Sequence, residues 1–498
     1  MAVVFSACRE GGDGFSNKNL TLDAFSQMRT QSLVVNSQNI RKHLSRIVNS
    51  DTGSFAVDRR TRDYYKRQMP LLWTDRLGVD SRADSLLSYI EKVGETGINA
   101  DMYRVKEIRN DLRLLRSLQL SEDEDVNRVM ARLEYNLTRA YLRYVSLHHF
   151  GYVNPAYTLN RCVVKDSDSV RVRYMHVYDA RNKRPDDAYF QKAYDKVNHD
   201  SVANFLHEIQ PRCKLYDRLV SMLNSGRLSA SERLKVICNI EKCRWQYDDA
   251  PDDNRRYVQV NIPSFYLYAY GGDSVLTMKV GCGKLDTRTP IIHSRIKRME
   301  LNPQWILPKS IAKTVAGNVG YLRRNNMFVV ERGVGKLPPE RASYEKVMSG
   351  KQYLVQAGGD GNSLGRIIFR FDNNFSVYLH HTNTPWVFER GVRTVSHGCV
   401  RVEKPYELAA FLLHDKDADL LERIKYSLSA NLNPNPQDED APKPDRSKLV
   451  SMVNVSPEVP IFIDYFTCYP STDGDMRFYN DVYGYDKAIL EAMKNYIQ

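Results

Sequence analysis

The densest group of reactive side chains lies between residues 380 and 401. It reads His380-His381-Thr382 and then Ser396-His397-Gly398-Cys399-Val400-Arg401, placing three of the eleven histidines and one of the eight cysteines within twenty residues. A cysteine acts as a nucleophile only as its thiolate, so with an ordinary pKa near ~8.5 it needs an imidazole to take the proton or stabilise the charge. Histidine titrates in the right range for that task. Gly398 lets the backbone turn tightly before Cys399 and present amide N–H groups to a developing oxyanion, as acyl transfer requires. Arg401, two residues beyond Cys399, shares its side if the segment is a strand, and brings a fixed positive charge for a carboxylate or an oxyanion. Two other readings use the same residues. Cys399 can be a structural cysteine beside a hydrogen-bonded histidine, or His380, His397 and Cys399 can be metal ligands.

Such a group has to be held by a folded scaffold, and a chain of 498 residues is long enough for two or three domains. From about Leu20 to Leu234 apolar residues recur at helical spacing. Val126, Val129, Leu133, Leu137, Ala140, Tyr144 and Leu147 form one stripe, with a capping box predicted at Ser121 to Glu124. A second box, Ser229 to Glu232, opens a helix toward Trp245. These stripes read as packing faces. After the polar cluster 248–254 the texture becomes alternating, aromatic and β-branched, as in Tyr257-Val-Gln-Val-Asn-Ile262 and Phe265-Tyr-Leu-Tyr-Ala-Tyr270. Gly271-Gly272-Asp273 joins the second run to residues 274–280 as a hairpin. Further strands are predicted at 328–331, 365–371 and 376–379, and a helix over 406–413 behind Pro405. The expected fold class is therefore α+β and multidomain. A helical scaffold domain covers 20–246 and a β-rich catalytic domain 247–428. A Pro-rich acidic linker follows over 429–450, and a C-terminal segment, 451–498, is expected to pack back on the scaffold.

Composition narrows the functional classes. No run approaches 18 consecutive apolar residues, which excludes a polytopic membrane protein. Seventy-two Lys and Arg against sixty Asp and Glu give +12, which favours anionic surroundings, but the charges are interspersed and no nucleic-acid type of basic run occurs. The cysteines lack paired CxxC spacing, and Cys238 and Cys243, five apart on a predicted helix, are poorly placed for a disulfide. At the N-terminus, Phe5-Ser6-Ala7-Cys8 resembles a bacterial lipobox followed by a Gly-rich tether, so residues 1–19 are expected to be a signal-like end in which Cys8 carries the lipid. The alternative is a short N-terminus with a chance cysteine.

His380, fifteen residues, then Ser-His-Gly-Cys-Val-Arg resembles the signature of the YkuD-type L,D-transpeptidases. Tyr257 to Phe265, Gly283-Lys284 with Thr289-Pro290, and 302–311 resemble the successive strands and turns of the larger, YcbB-like members. So do Asn362 to Arg366, Tyr378 to His380, Tyr465-Phe466 and Asp481 to Asp486, while residues from about 20 to 155, including Trp73 and Tyr152 to Pro155, resemble that group's scaffold domain. The resemblance covers most of the chain and is weakest over 161–229.

The resemblance implies a peptidoglycan cross-linking enzyme without a cofactor. Cys399 would attack the L,D-peptide carbonyl of a tetrapeptide stem, release D-alanine and pass the acyl group to an amine of a neighbouring stem. Water in place of that amine would make an L,D-carboxypeptidase, and a silent wall-binding scaffold would use neither. His380 is implied as the general base, His397 as a second imidazole and alternative base, and the amides around Gly398 as the oxyanion hole. Arg401, Tyr378, Ser396 and His381 become candidate substrate contacts. The implied partners are donor and acceptor stem peptides, with a protein tethered to the wall as another acceptor. No nucleic acid is implied, and the membrane enters only through a lipid on Cys8. The implied compartment is the periplasm or envelope of a Gram-negative bacterium. Two departures stand out: His381 occupies a position where many members have Gly or Asp, and no wall-binding module is recognisable between 161 and 229. The irregular segment of about 312–360 resembles that group's lid insertion.

Overall fold

A computed structural model of the chain describes residues 33–75, 78–165, 172–252, 255–272, 274–413, 418–432 and 443–497. Cys8, the N-terminal tether and residues 433–442 of the Pro-rich linker lie outside the described residues. The chain divides into two units. One comprises residues up to Thr158, Asn182–Asp248 and Asp486 onward, and the other Leu159–Arg181 and Asp249–Tyr485.

The first unit is helical. Its central helix, Val126–Arg143, buries Val129, Leu133, Leu137 and Ala140, and the stripe continues through a π-helical turn at Tyr144–His148. The helix begins later than the Ser121 box predicts. Ser121 Oγ does accept from Glu124 N (3.1 Å), yet the cap is Asp125, whose carboxylate accepts from the amides of Asn127 and Arg128. An aspartate next to the periodic run satisfies two orphan donors at once. The second box forms as expected: Ser229 Oγ accepts from Glu232 N, Glu232 Oε2 accepts from Ser229 N, and the helix runs Ala230–Arg244.

Glu134 points from the central helix into the core, where it accepts from Tyr65 Oη (2.7 Å), the amides of Leu72, Trp73 and Thr74 (2.6, 3.0 and 2.9 Å) and Thr74 Oγ1 (3.0 Å). A buried carboxylate is tolerable only when its lone pairs are filled in this way. It pins the turn carrying the buried Trp73, and each donor it serves would cost ~1–3 kcal/mol if left unpaired. The described cysteines are thiols, none of them in a disulfide among the described residues. Within this unit, the thiol that approaches Cys243 is Cys213, the two sharing a hydrogen bond, while Cys238 Sγ faces Asp486 Oδ1 at 3.3 Å.

The second unit is built on one sheet that closes on itself. In order, its strands are Ile367–Phe371, Leu379–His380, Val400–Val402, Ser274–Gly283, Tyr266–Gly271, Tyr257–Asn261, Met452–Asp464 and Ile291–Leu301, the last pairing again with the first. Tyr178–Asp179 adds to the Ile291 strand and Thr394–Ser396 to the Ser274 strand. The hairpin at 271–274 forms as predicted.

The C-terminal expectation needs correction. Residues 452–464 do not return to the helical unit but enter this sheet between Tyr257–Asn261, in parallel, and Ile291–Leu301, antiparallel. The physical reason lies in the run Val459-Pro-Ile-Phe-Ile463, where Ile461, Phe462 and Ile463 are all fully buried. A continuous apolar run of this kind is covered on both faces and suits a central strand. Only Asp486 onward belongs to the first unit, and Leu159–Arg181, expected in the helical domain, belongs to the second. The 312–360 excursion is also more ordered than an irregular segment. Trp305–Ile306, Met327–Glu331, Gly335–Leu337 and Gln352–Gln356 form a four-stranded sheet with its own core of Leu307, Ala312, Leu322, Val329, Val347 and Leu354.

Candidate active site

The cysteine and its neighbours are placed by two short parallel strands. Leu379 pairs with Val400 and His380 with Arg401. Because successive side chains alternate, Leu379 and Val400 enter the core, both fully buried, while Tyr378, His380, Cys399 and Arg401 share the other face. Val400 N donates to Tyr378 O at 3.1 Å, extending the register to Cys399. Register thus gathers residues that lie about twenty positions apart in sequence.

Before Cys399 the chain turns sharply. Gly398 has φ +119°, a conformation that a side chain would strain. Ser396 closes the turn: its Oγ donates to Cys399 O (2.5 Å) and accepts from Gly398 N (3.1 Å). This corrects its expected role as a substrate contact, since the hydroxyl is buried and occupied within the loop. The N–H of Cys399 makes no hydrogen bond among the described residues and is available as a donor.

Sγ of Cys399 is held by Tyr378, through its backbone N–H and its hydroxyl, with Ser376 O 3.9 Å away. Burial pushes the thiol pKa up, against the opposing Tyr378 hydrogen bonds and the charges of Arg370 and Arg401. Arg370 stacks over the Tyr378 ring at 4.6 Å and pairs with Glu300 at 3.2 Å. His380 is 4% exposed, and its ring meets that of Tyr378 edge-on, 5.8 Å between centroids. Burial first, and the Arg401 charge next, push its imidazole down to about 3, so it is neutral at pH 7, and its Nδ1 has no hydrogen-bond partner among the described residues. Neither His380 nor His397 is hydrogen-bonded to Cys399 in this state, and His397 is exposed. Among the described residues no three His, Cys, Asp or Glu side chains converge as ligands.

The remaining candidates divide in two. Arg401 Nη1 donates to Thr384 Oγ1 (3.3 Å), and its buried Nε has no partner among the described residues. His381, in contrast, accepts from Arg366 N on Nδ1 (3.3 Å), while Arg366 donates to Asn302 Oδ1 and Ala430 O (2.9 and 2.7 Å). The ring of His381 therefore anchors the chain returning from the 305–356 sheet. Sequence reasoning missed Arg370, Thr289 and Tyr483, whose partners lie far along the chain. Thr289 donates to Gly398 O, 109 positions away.

A raised thiol pKa leaves little thiolate at neutral pH and more as the pH rises. Alkylation of Cys399 by iodoacetamide, followed by peptide mass spectrometry, is expected to accelerate about tenfold per pH unit from 7 to 9. It should show no inflection near 6.5, because His380 is neutral throughout that range. A flat profile from pH 6 to 9 would mean that a thiolate–imidazolium pair already exists at rest.

A thiol at a glycine turn, with a free amide beside it and an imidazole and a guanidinium on the same face, is equipped for acyl transfer. Residues 255–422 match the family model of the YkuD L,D-transpeptidase catalytic domain, and residues 59–223 match that of a Scaffold domain. The chain carries a YkuD L,D-transpeptidase catalytic domain behind an N-terminal Scaffold domain. It is also similar to a Haemophilus influenzae protein named "Putative L,D-transpeptidase", 24% identical over 331 residues. That alignment covers 64% of this chain and 63% of the relative.

Proposed function

We propose that the protein is a peptidoglycan L,D-transpeptidase of the cell envelope, with Cys399 carrying the acyl group. The observation that carries this reading is the parallel register that brings Tyr378, His380, Cys399 and Arg401 to one face beside the Gly398 turn. In the resting site both thiol and imidazole are neutral, and Tyr378 occupies the sulfur. Sγ leaves Tyr378 for the imidazole of His380, which takes its proton as the sulfur attacks the L,D-peptide carbonyl of a tetrapeptide stem. The N–H of Cys399 holds the tetrahedral oxyanion, since the amide of Gly398 is spent on Ser396 and that of Val400 on Tyr378. The imidazolium then returns the proton to the departing amine, D-alanine leaves, and a thioester remains. An amine of a neighbouring stem, or of a protein to be tethered, attacks that thioester with His380 again as base. Arg401 supplies the charge that meets a substrate carboxylate, and the sheet over 305–356 serves as the lid.

Thiol acyl transfer needs no metal or organic cofactor. The envelope location follows from the substrate, and the +12 charge suits an anionic polymer. No described helix is long and apolar enough to cross a membrane, and Cys8 is the proposed point of lipid attachment. The experiment is incubation with disaccharide-tetrapeptide muropeptides and mass spectrometry of the products. Cross-linked dimers that have lost one D-alanine are expected. Tripeptides alone would make the protein an L,D-carboxypeptidase, and the absence of both products would overturn the proposal.

A further inference from the structure

The loop bearing Cys399 is tied to the rest of its unit by two buried hydroxyls that the mechanism above does not use. Thr289 and Tyr483 are 0% and 3% exposed, and the donor and acceptor of every bond between them is fixed. Thr289 Oγ1 accepts from Gly283 N (2.8 Å), so its own proton goes to Gly398 O (2.8 Å). Tyr483 Oη accepts from Thr289 N (3.2 Å), so its own proton goes to Gly283 O (2.6 Å). Gly283 has to be glycine, since a Cβ there would stand 2.1 Å from Thr287 O and 2.7 Å from Thr289 N. Tyr483 is itself set by the segment around it. Its amide donates to Tyr465 Oη (2.8 Å), Tyr465 donates to Asp481 Oδ1 (2.7 Å), and the two rings stack 5.7 Å apart.

The chemical consequence follows from peptide geometry. In a trans peptide the carbonyl and the following N–H point in opposite directions. Holding Gly398 O toward Thr289 therefore turns the N–H of Cys399 the other way. That N–H makes no hydrogen bond among the described residues, and the positive φ of Gly398 leaves this peptide without the restraint a side chain would impose.

We propose that Thr289 and Tyr483 are positioning residues of the acyl transfer: the path Tyr483–Thr289–Gly398 fixes the peptide plane that aims the Cys399 N–H at the oxyanion. This rests on the transpeptidase reading. It separates two reactions of the same sulfur, because acylation by a β-lactam of the carbapenem type passes through a tetrahedral oxyanion and alkylation by iodoacetamide does not.

The test measures both rates at Cys399 for the wild type, Thr289→Val, Thr289→Ser and Tyr483→Phe. Thr289→Val keeps the side-chain shape and removes the hydroxyl, and it should slow acylation about 30-fold, somewhat less than loss of an oxyanion donor. Alkylation should stay within about threefold, since the thiol's surroundings are unchanged. Thr289→Ser keeps the hydroxyl and should recover most of the acylation rate, while Tyr483→Phe, one bond further out, should slow acylation about fivefold. Thr289→Val acylation within twofold of wild type would overturn the proposal, and so would an equal fall in both rates. If Thr289→Val does not fold, the same split in Tyr483→Phe decides. A wild type that is alkylated but neither acylates nor processes tetrapeptides would instead overturn the transpeptidase reading and, with it, the proposal.

Discussion

Cys399→Ala is expected to abolish cross-linking, with a loss of ~10⁴-fold or more in turnover of tetrapeptide muropeptides, because the acyl group then has no atom to reside on. The folded state should survive. The bonds that shape the turn come from the backbone, Ser396 and Thr289, and none needs the sulfur. Product analysis by mass spectrometry together with a thermal melt separates the two effects. Retained cross-linking in a folded Cys399→Ala protein would place the chemistry elsewhere and leave Cys399 a structural cysteine.

The second large effect is expected at His380. Removing a general base costs ~10²–10⁴-fold, and the resting site puts all of that demand on this ring: the thiol is pushed up by burial and does not ionise unaided near pH 7. His380→Ala should therefore lower acylation by a carbapenem ~10³-fold at pH 7. The loss should shrink as the pH rises and hydroxide replaces the missing base. The sign follows from the two shifts, the thiol raised and the imidazole lowered to about 3, so that at neutral pH neither group is charged until the proton passes between them. His397→Ala should cost less than about tenfold, because that ring is exposed to solvent whereas His380 is buried on the face it shares with Cys399. Equal losses in the two variants, or a larger one at His397, would move the base to His397.

How much of this was legible in the sequence depends on how local each cause is. The stripe from Val126, the box at Ser229 and the hairpin at 271–274 rest on residues within a few positions of one another, and the structure has all three. The helix start moved from Ser121 to Asp125 because either residue can cap, and only the geometry decides which one meets two amides. The apolar run Val459 to Phe466 reads locally as a strand, but nothing in it marks Tyr257–Asn261 as its neighbour, because pairing over some two hundred positions leaves no local mark. For the same reason the Trp305–Gln356 sheet, whose core joins Leu307 to Leu354, looked irregular.

At the site, spacing drew attention to Cys399, His380 and Arg401, and parallel register places them on one face. It could not reveal that Ser396 is spent inside the turn, that His381 holds Arg366, or that Tyr378 rather than a histidine touches the resting sulfur. Thr289 and Tyr483 stood inside segments singled out by resemblance. Their shared task depends on a loop and a C-terminal tyrosine meeting at Gly283.

An acyl-enzyme on Cys399 is tested most simply by the intact mass of the protein after exposure to a carbapenem, for wild type and Cys399→Ala. The wild type is expected to gain one opened β-lactam, mapped by peptide digestion to Cys399, and the variant to gain nothing. An equal adduct on both proteins, or none on a folded wild type, would contradict an acyl-enzyme at that position.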